Sequence, residues 1–469
     1  MSSTIMGEIV NKTSRDYQKA RSAWNSLYRT KPDLIIYPTN AEEVAAALAH
    51  ARHRGLDLRI RSGGHSFDGY SSVDGGVVLD LGRMDSIVVR DDDTVVIGPG
   101  ARLRTVYEVL SDYDLALPGG NCGGVGVGGL TLGGGLGILG RTHGWLAQSV
   151  RSVDMIDARG NLITVDKDNH PDLFWALRGS GGGNFGIVVS FTFQAYRIPH
   201  LVRGVLHWDW DHLVDFADAL QQFGPTMDRR INMIGHLECK QVGTIALIVV
   251  SLASRDETER ALAPMLAALP PVRDQQYATV RYVDAAQDSV TPELLYSNEV
   301  RATTVTGNIN ETLSRDCLQK IKDRLAVAES GTTIQLHALG SVTAELNRTD
   351  PIALPSVDGL LSLFAPSYWT DPAADEFNLN WMSGLAEDML PHFQTTYINS
   401  NDIHIDDRIY PRYGENFARL VKIKNQYDPE NVFTFAAGIP PSLTRPEAER
   451  MGLPEHQIQA IQEFGFLNE

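Results

Sequence analysis

Apolar residues recur along this chain at two spacings, one strand-like and one helical. The run Leu34–Tyr37 predicts a buried strand. Behind it Thr39 stands three residues before Glu42, a capping-box spacing. Val44, Leu48 and the neighbouring alanines then form one helical face, which Gly55 ends. LDLRIRSGGHS predicts a strand that runs into a glycine turn. Residues 77–97 predict paired strands: VVLDL, then SIVV and TVVI about the Asp91-Asp92-Asp93 turn. GPGARLRTVYEVL predicts a turn and a helix with Leu103, Val106, Tyr107 and Leu110 on one face. VDMIDARGNLITVD predicts a hairpin turning at Arg159-Gly160-Asn161. DLFWALRGSGGGNFG predicts a short helix and a glycine cluster, with the strand IVVSFTFQAY after it.

The texture changes at RIPH, near residue 200. Glycine becomes sparse, and strands such as IALIVVSLAS and TTIQLHAL alternate with amphipathic helices such as ETERALAPMLAAL. Residues 1–200 and 201–405 therefore predict two α+β domains. A C-terminal helix follows, with Phe417, Leu420, Val421 and Lys424 at helical spacing, and then a DPEN turn. Residues 441–469 read as a tail with one short helix. No internal repeat is present.

The formal net charge of −17 argues against a surface built for nucleic acid or an anionic membrane, since both need concentrated Lys and Arg. Cys122, Cys239 and Cys317 make neither a disulfide framework nor a zinc spacing. No metal is expected: His50 and His53 suit the dipole at a helix end, and Asp402, His404, Asp406 and Asp407 read as a solvated loop. The opening segment lacks the apolar core of a secretory signal. The longest apolar run, IALIVVSLA at residues 245–253, is too short to cross a bilayer and reads as one buried strand. A cytoplasmic protein is the expectation.

Glycine changes the picture. Of 42 glycines, 12 fall within the 22 residues from Gly119 to Gly140. Two stretches there fit the GxGxxG spacing, but no buried strand leads into them, and repeated glycines penalise a following helix. A dinucleotide-binding turn is therefore rejected. What remains is either a tight packing loop or a backbone path that touches a flat ring or a pyrophosphate closely. His65 lies in RSGGHS and Cys122 in GGNCGG, 57 residues apart in the same glycine-rich domain.

The segments RSGGHS, GGNCGGVGVGGLTLGGGLG, DLFWALRGSGGGNFGIV and YGENFARLVKIKNQYDPENVF occur in this order. Together they resemble the bicovalent flavoproteins of the berberine bridge enzyme-like family, which carry the FAD-binding domain of the vanillyl-alcohol oxidase and cresol methylhydroxylase type. The resemblance covers most of the chain. It implies an FAD-binding domain at residues 1–200, completed by residues 406–440. The inserted substrate domain at 201–405 would be an antiparallel sheet with helices. FAD would be bonded to His65 through its 8-methyl carbon and to Cys122 through ring carbon 6. Arg61, Ser62, Gly63, Gly64 and Ser66 would cradle the pyrophosphate. The loop from Gly128 to Gly135, including Gly129, Thr131 and Gly134, would line the flavin. The backbone from Asn184 through Gly186 and Ile187 to Val188 would make further cofactor contacts, and Tyr413 and Asn416 would close the ring site. Val125 occupies the position that in this family influences access of dioxygen, where valine goes with oxidases. The chemistry agrees, because an imidazole nitrogen and a thiolate are the nucleophiles such links require. A doubly tethered cofactor also permits a wide site and a bulky substrate.

One departure bears on catalysis. The family often shows a YxNY pattern, with a tyrosine that deprotonates the substrate. Here the residues are Tyr397, Ile398, Asn399 and Ser400. Serine offers no anion near neutral pH. Tyr397 is the nearest phenol, with Tyr368, Tyr410 and His404 as further candidates. In a regular strand Tyr397 and Ser400 would face opposite ways. A second departure is AGIP, ending at Pro440, where the family has QSIP. The implied activity is an FAD-dependent oxidase that removes a hydride from an alcohol or hemiacetal carbon of a natural product or sugar and reduces dioxygen to hydrogen peroxide. The alternative is an oxidative or non-redox cyclase of a secondary-metabolite pathway. The missing secretion signal favours tailoring of a metabolite inside the cell, as in antibiotic biosynthesis.

Overall fold

The strand Leu34–Tyr37 pairs antiparallel with Glu8–Asn11 and parallel with Val77–Asp80, and Leu58–Arg61 adds a parallel edge. Val77–Asp80 thus lies in a different sheet from the hairpin expected to include it. Every residue of that strand is buried, the mark of a parallel strand covered on both faces. The hairpin Ile87–Val89 with Thr94–Ile97 joins a five-stranded antiparallel sheet instead, beside Ile187–Gln194, Val150–Ile156 and Leu162–Asp166. The helix Ala41–His53 is capped by Asn40, whose side chain accepts from the Glu43 N–H at 3.0 Å. The cap falls one residue later than the Thr39–Glu42 spacing predicts, because Thr39 spends both its N–H and its hydroxyl on the Glu43 carboxylate. The computed structural model describes residues 7–287, 299–340, 342–355, 359–400 and 410–468.

The glycine-rich stretch contains a helix, Val127–Leu132, where a loop was expected. Packing outweighs propensity here. A Cβ on Gly128 would stand 3.0 Å from the Pro99 carbonyl oxygen and 3.1 Å from Ser62 Oγ, so only glycine lets the helix settle this close. That contact offsets a cost of about 1 kcal/mol per helical glycine.

A seven-stranded antiparallel sheet forms the second half. Its order is Asp274–Val280, Leu201–Asp209, Thr244–Ser251, Ile231–Glu238, Thr333–Ala338, Leu361–Trp369 and Arg301–Ile309. Helices Leu213–Phe223, Arg255–Ala267, Arg315–Val327 and Asp375–Met389 share one apolar core with alternate residues of these strands, such as Met233, Leu237, Leu336 and Leu363. Each such large side chain contributes about 1.5–3 kcal/mol on burial. The opposite sheet face is left for the site. The architecture is α+β, with an antiparallel sheet and helices where the resemblance implied them.

The chain then returns to its beginning. Helix Phe417–Tyr427 buries Phe417, Leu420, Val421 and Lys424. Lys424 Nζ donates to the Asn184 carbonyl, the Phe433 carbonyl and Asp428 Oδ2 at 2.6–2.7 Å, and both charged side chains are fully enclosed. Residues beyond Pro440 hold two helices, Arg445–Arg450 and Glu455–Glu463, rather than one. Leu443, Ala448, Ile458 and Ile461 bury their side chains in the main core. Among the described residues no helix is long and apolar enough to cross a membrane.

Candidate active site

A cavity of about 520 Å³ lies between the glycine-rich segments and the open face of the large sheet, and both His65 and Cys122 line it. His65 follows the strand Leu58–Arg61 and the turn made by Gly64, whose φ of +68° is left-handed. Its ring stacks on Trp24. Burial, helped by the Arg102 guanidinium, holds the imidazole down to about 3, so the ring is neutral and keeps a free nitrogen lone pair. Burial pushes the Cys122 thiol up, against the pull of the Gly124 and Val125 backbone N–H groups. Gly63 and Gly126 explain how the two loops meet. A Cβ on either would collide with backbone of the other. Arg102 ties them further, donating to the carbonyls of Gly63 at 2.6 Å and Gly124 at 2.5 Å.

Ser62, Gly63, Gly64 and Ser66 line the cavity, as do Val125, Gly128 and Gly129. Gly186, Val188 and Tyr413 line it from the far side. Arg61 lines an adjoining cavity with Ser62, Gly63, Gly64 and His65, its Nε donating to Asp80 Oδ2 at 2.5 Å and its Nη2 to the Ala20 carbonyl at 2.6 Å. Thr131 bonds the Val127 carbonyl within its own helix, Ile187 is wholly in the core, and Asn416 donates to the Ala353 carbonyl. Asn184 acts as a brace, donating to the Ser180 carbonyl and accepting from the Ile439 N–H. Gly134 and Gly135 take φ of +106° and +77°, which carries the chain round below the cavity.

The lining fits a flat ring with a polar tail. Gly129 has nothing within 4 Å of where a Cβ would stand, so any side chain there would enter the cavity. Gly181, Gly182 and Gly183 present a second bare backbone wall. Asn121 Oδ1 and Ser71 Oγ, on lining residues, are buried and have no partner in the protein. His65 and Cys122 put an imidazole nitrogen and a thiol sulfur, both nucleophilic atoms, on this wall.

Of the candidate bases, Tyr397 and Tyr368 line the cavity, together with Ser400. Tyr397–Ser400 is a turn rather than a strand, closed by the Ser400 N–H on the Tyr397 carbonyl at 3.1 Å. Side chains three apart therefore reach one cavity. The Tyr397 oxygen accepts from the N–H groups of Gly135 at 3.1 Å and Leu136 at 3.2 Å and from Asn399 Nδ2 at 3.1 Å. Burial pushes its pKa up, and these three donors pull it back. Tyr368 packs edge-on against Trp24, and burial pushes its pKa well up. Tyr410 bonds its hydroxyl to Glu415 and is pushed up to about 12 by burial and that carboxylate. His404, Asp402, Asp406 and Asp407 lie outside the described residues. Among the described residues no cluster of side chains is arranged to hold a metal.

Sequence reasoning passed over the sheet face. His236, Glu238, Thr333, Gln335 and His337 line the cavity from two adjacent strands. The alternation carried that signal, with His236 and Glu238 two apart in one strand and Thr333, Gln335 and His337 two apart in the other.

The fold and site define an FAD-linked oxidoreductase. Residues 32–166 match the FAD binding domain family, and residues 396–440 match the berberine and berberine-like family. The chain is 34% identical over 446 residues to the FAD-linked oxidoreductase YgaK of Bacillus subtilis, covering 93% of this chain and 97% of that one. It is 26% identical to the aclacinomycin-N/aclacinomycin-A oxidase of Streptomyces galilaeus, covering 92% and 89%. Its fold superposes on the solved chitooligosaccharide oxidase with a TM-score of 0.84 at 24% identity, covering 92% and 97%. This chain belongs to the berberine bridge enzyme-like family.

Proposed function

We propose that the protein is an oxidase holding FAD through covalent bonds to His65 and Cys122, and that it takes a hydride and a proton from an alcohol or hemiacetal carbon. The observation that carries this is the meeting of His65, Cys122 and Tyr397 on one cavity. Bound FAD supplies the hydride acceptor, and dioxygen takes the electrons on to hydrogen peroxide. The protein's residues hold the reactants and move the proton. Three N–H donors converge on the Tyr397 oxygen, one more than the two lone pairs of a neutral phenol accept, and so favour its ionised form. Asn399 Nδ2 also donates to the Leu130 carbonyl, so a substrate hydroxyl can take its place on the phenolate and pass it a proton. Val125 lines the cavity close to Cys122, and dioxygen would reach the ring past its short side chain. The aclacinomycin oxidase relative supports a natural-product substrate. The test is peroxide release and anaerobic flavin bleaching with a panel of sugars and polyketide alcohols. Bleaching without peroxide would make it a dehydrogenase, and no bleaching by any alcohol would overturn the reading.

A further inference from the structure

The face of the large sheet that looks into the cavity is built to form hydrogen bonds. On strand Ile231–Glu238, His236 and Glu238 line the cavity while Met233 and Leu237 enter the core behind. On the adjacent strand Thr333–Ala338, Gln335 and His337 line it while Ile334 and Leu336 enter the core. The register sets His236 opposite Gln335, which makes His337 its diagonal neighbour, within reach of a ring side chain. His337 Nε2 stands 3.4 Å from Gln335 Oε1. His236 is only 5% exposed, yet its Nδ1 has no partner in the protein. A buried polar atom left unpaired costs about 1–3 kcal/mol, and native folds keep few of them without a use.

The charge state of this face is as telling as its geometry. Burial holds the imidazoles of His236 and His337 neutral, near about 4 and about 3, and pushes the Glu238 carboxyl up. Arg203 reaches the cavity from Leu201–Asp209, beyond the intervening strand Thr244–Ser251. A neutral imidazole offers one donor and one acceptor, and glutamine's amide offers both. Such a set matches hydroxyl groups, which also give and take, while none of the three side chains offers a counter-charge to a buried ammonium or carboxylate.

We propose that His236 and His337, with Gln335 set against them, are the specificity-determining residues that seat an uncharged, hydroxyl-rich ring above the reacting centre. This rests on the oxidase reading and names what aligns the substrate for it. The holoenzyme is titrated with glucose, glucosamine and glucuronate, and the change in its flavin absorbance gives each dissociation constant. Glucose is expected to bind at least about tenfold tighter than either charged analogue, the scale of one mismatched buried hydrogen bond. His236→Phe and His337→Phe each weaken glucose by about tenfold or more. His236→Gln, which restores a donor and an acceptor, recovers most of the loss. Gln335→Leu is the second variant should a phenylalanine disturb folding. Cofactor content and unfolding midpoint serve as folding controls. Equal binding of the three sugars, no binding of any, or unaltered binding in the Phe and Leu variants would overturn the inference. Each of these outcomes stands apart from peroxide release with other alcohols, on which the oxidase reading is judged.

Discussion

The imidazole of His65 lies face to face with the indole of Trp24, with ring centroids 4.8 Å apart and planes within 17°. The stack fixes the ring and keeps water from one of its faces. Trp24→Ala should raise the imidazole pKa back toward 6.5, since burial is the main cause of its depression. Histidine-linked flavin should then form more slowly at about pH 6, where the ring spends more time protonated and loses its nucleophilic lone pair. Time courses of covalent incorporation into apoprotein at about pH 6 and about pH 8 will check this. Equal pH dependence in both proteins would show that the stack does not tune the ring.

Either attachment alone should retain the cofactor. His65→Ala and Cys122→Ala are each expected to leave a yellow pellet after acid precipitation, and only the double variant should release FAD to the supernatant. Digestion of the unaltered protein should yield one flavin joining two peptides. Free FAD from the unaltered protein would remove the covalent proposal.

Val125 sits at half burial on the cavity, its N–H bonded to the Cys122 carbonyl at 3.1 Å. Val125→Leu adds one methylene where dioxygen is proposed to pass. Stopped-flow reoxidation of the reduced protein should slow by about tenfold or more, a barrier change of about 1.4 kcal/mol, with the reduction rate unchanged. Unaltered reoxidation would place the oxygen path elsewhere.

Tyr397→Phe keeps the ring and removes the oxygen on which three N–H groups converge. Flavin reduction by a true substrate should fall by about 10²–10⁴, the usual weight of a proton-transfer group. The rising limb of its pH profile should vanish as well. Reduction that keeps its rate and its pH profile would return attention to Tyr368.

Histidines lowered by burial make the fold sensitive to acid. His143, His236 and His337 have folded values of about 3 to 4, below the ordinary value of about 6.5 that the unfolded chain restores. Between those limits the unfolded chain binds more protons, so stability is whole above about pH 6.5 and falls as pH drops below it. Urea midpoints taken between about pH 7.5 and about pH 5 should fall. The fall should be shallower in the His236→Gln/His337→Gln protein. Equal steepness in the two would mean that other groups set the acid limit.

Local patterns revealed much of the molecule. The helical faces at Val44–Leu48 and at Leu103–Leu110, and the hairpin at Arg159-Gly160-Asn161, follow from side-chain period and turn chemistry alone. His65 and Cys122 were legible as a pair because their glycine flanks are unusual wherever they occur. What was not legible depends on contacts between distant segments. Helix Val127–Leu132 settles where it does because Gly128 lets it pack closely on Pro99 and Ser62. Tyr397 and Ser400 share a cavity because Asn399 anchors their turn to the Leu130 carbonyl at 2.9 Å. The direction of His236 and His337 was written in their alternation, but which sheet face met helices and which met the cavity was not. The region after Pro440 looked like a tail because its few apolar residues are spread over two short helices.

The knot around Lys424 imposes an order on synthesis. Asn184 offers its carbonyl to Lys424 and its side-chain oxygen to Ile439, partners 240 and 255 residues downstream. At about 5–20 residues per second, the first interval alone takes on the order of 12–50 s to translate. During that time the glycine wall made by Gly181, Gly182 and Gly183 exists without its brace. The cofactor pocket is therefore among the last parts of the protein to be finished, although most of its lining is translated in the first half of the chain. A message cut short before Lys424 would yield every glycine loop with His65 and Cys122, yet leave the wall behind them without its brace.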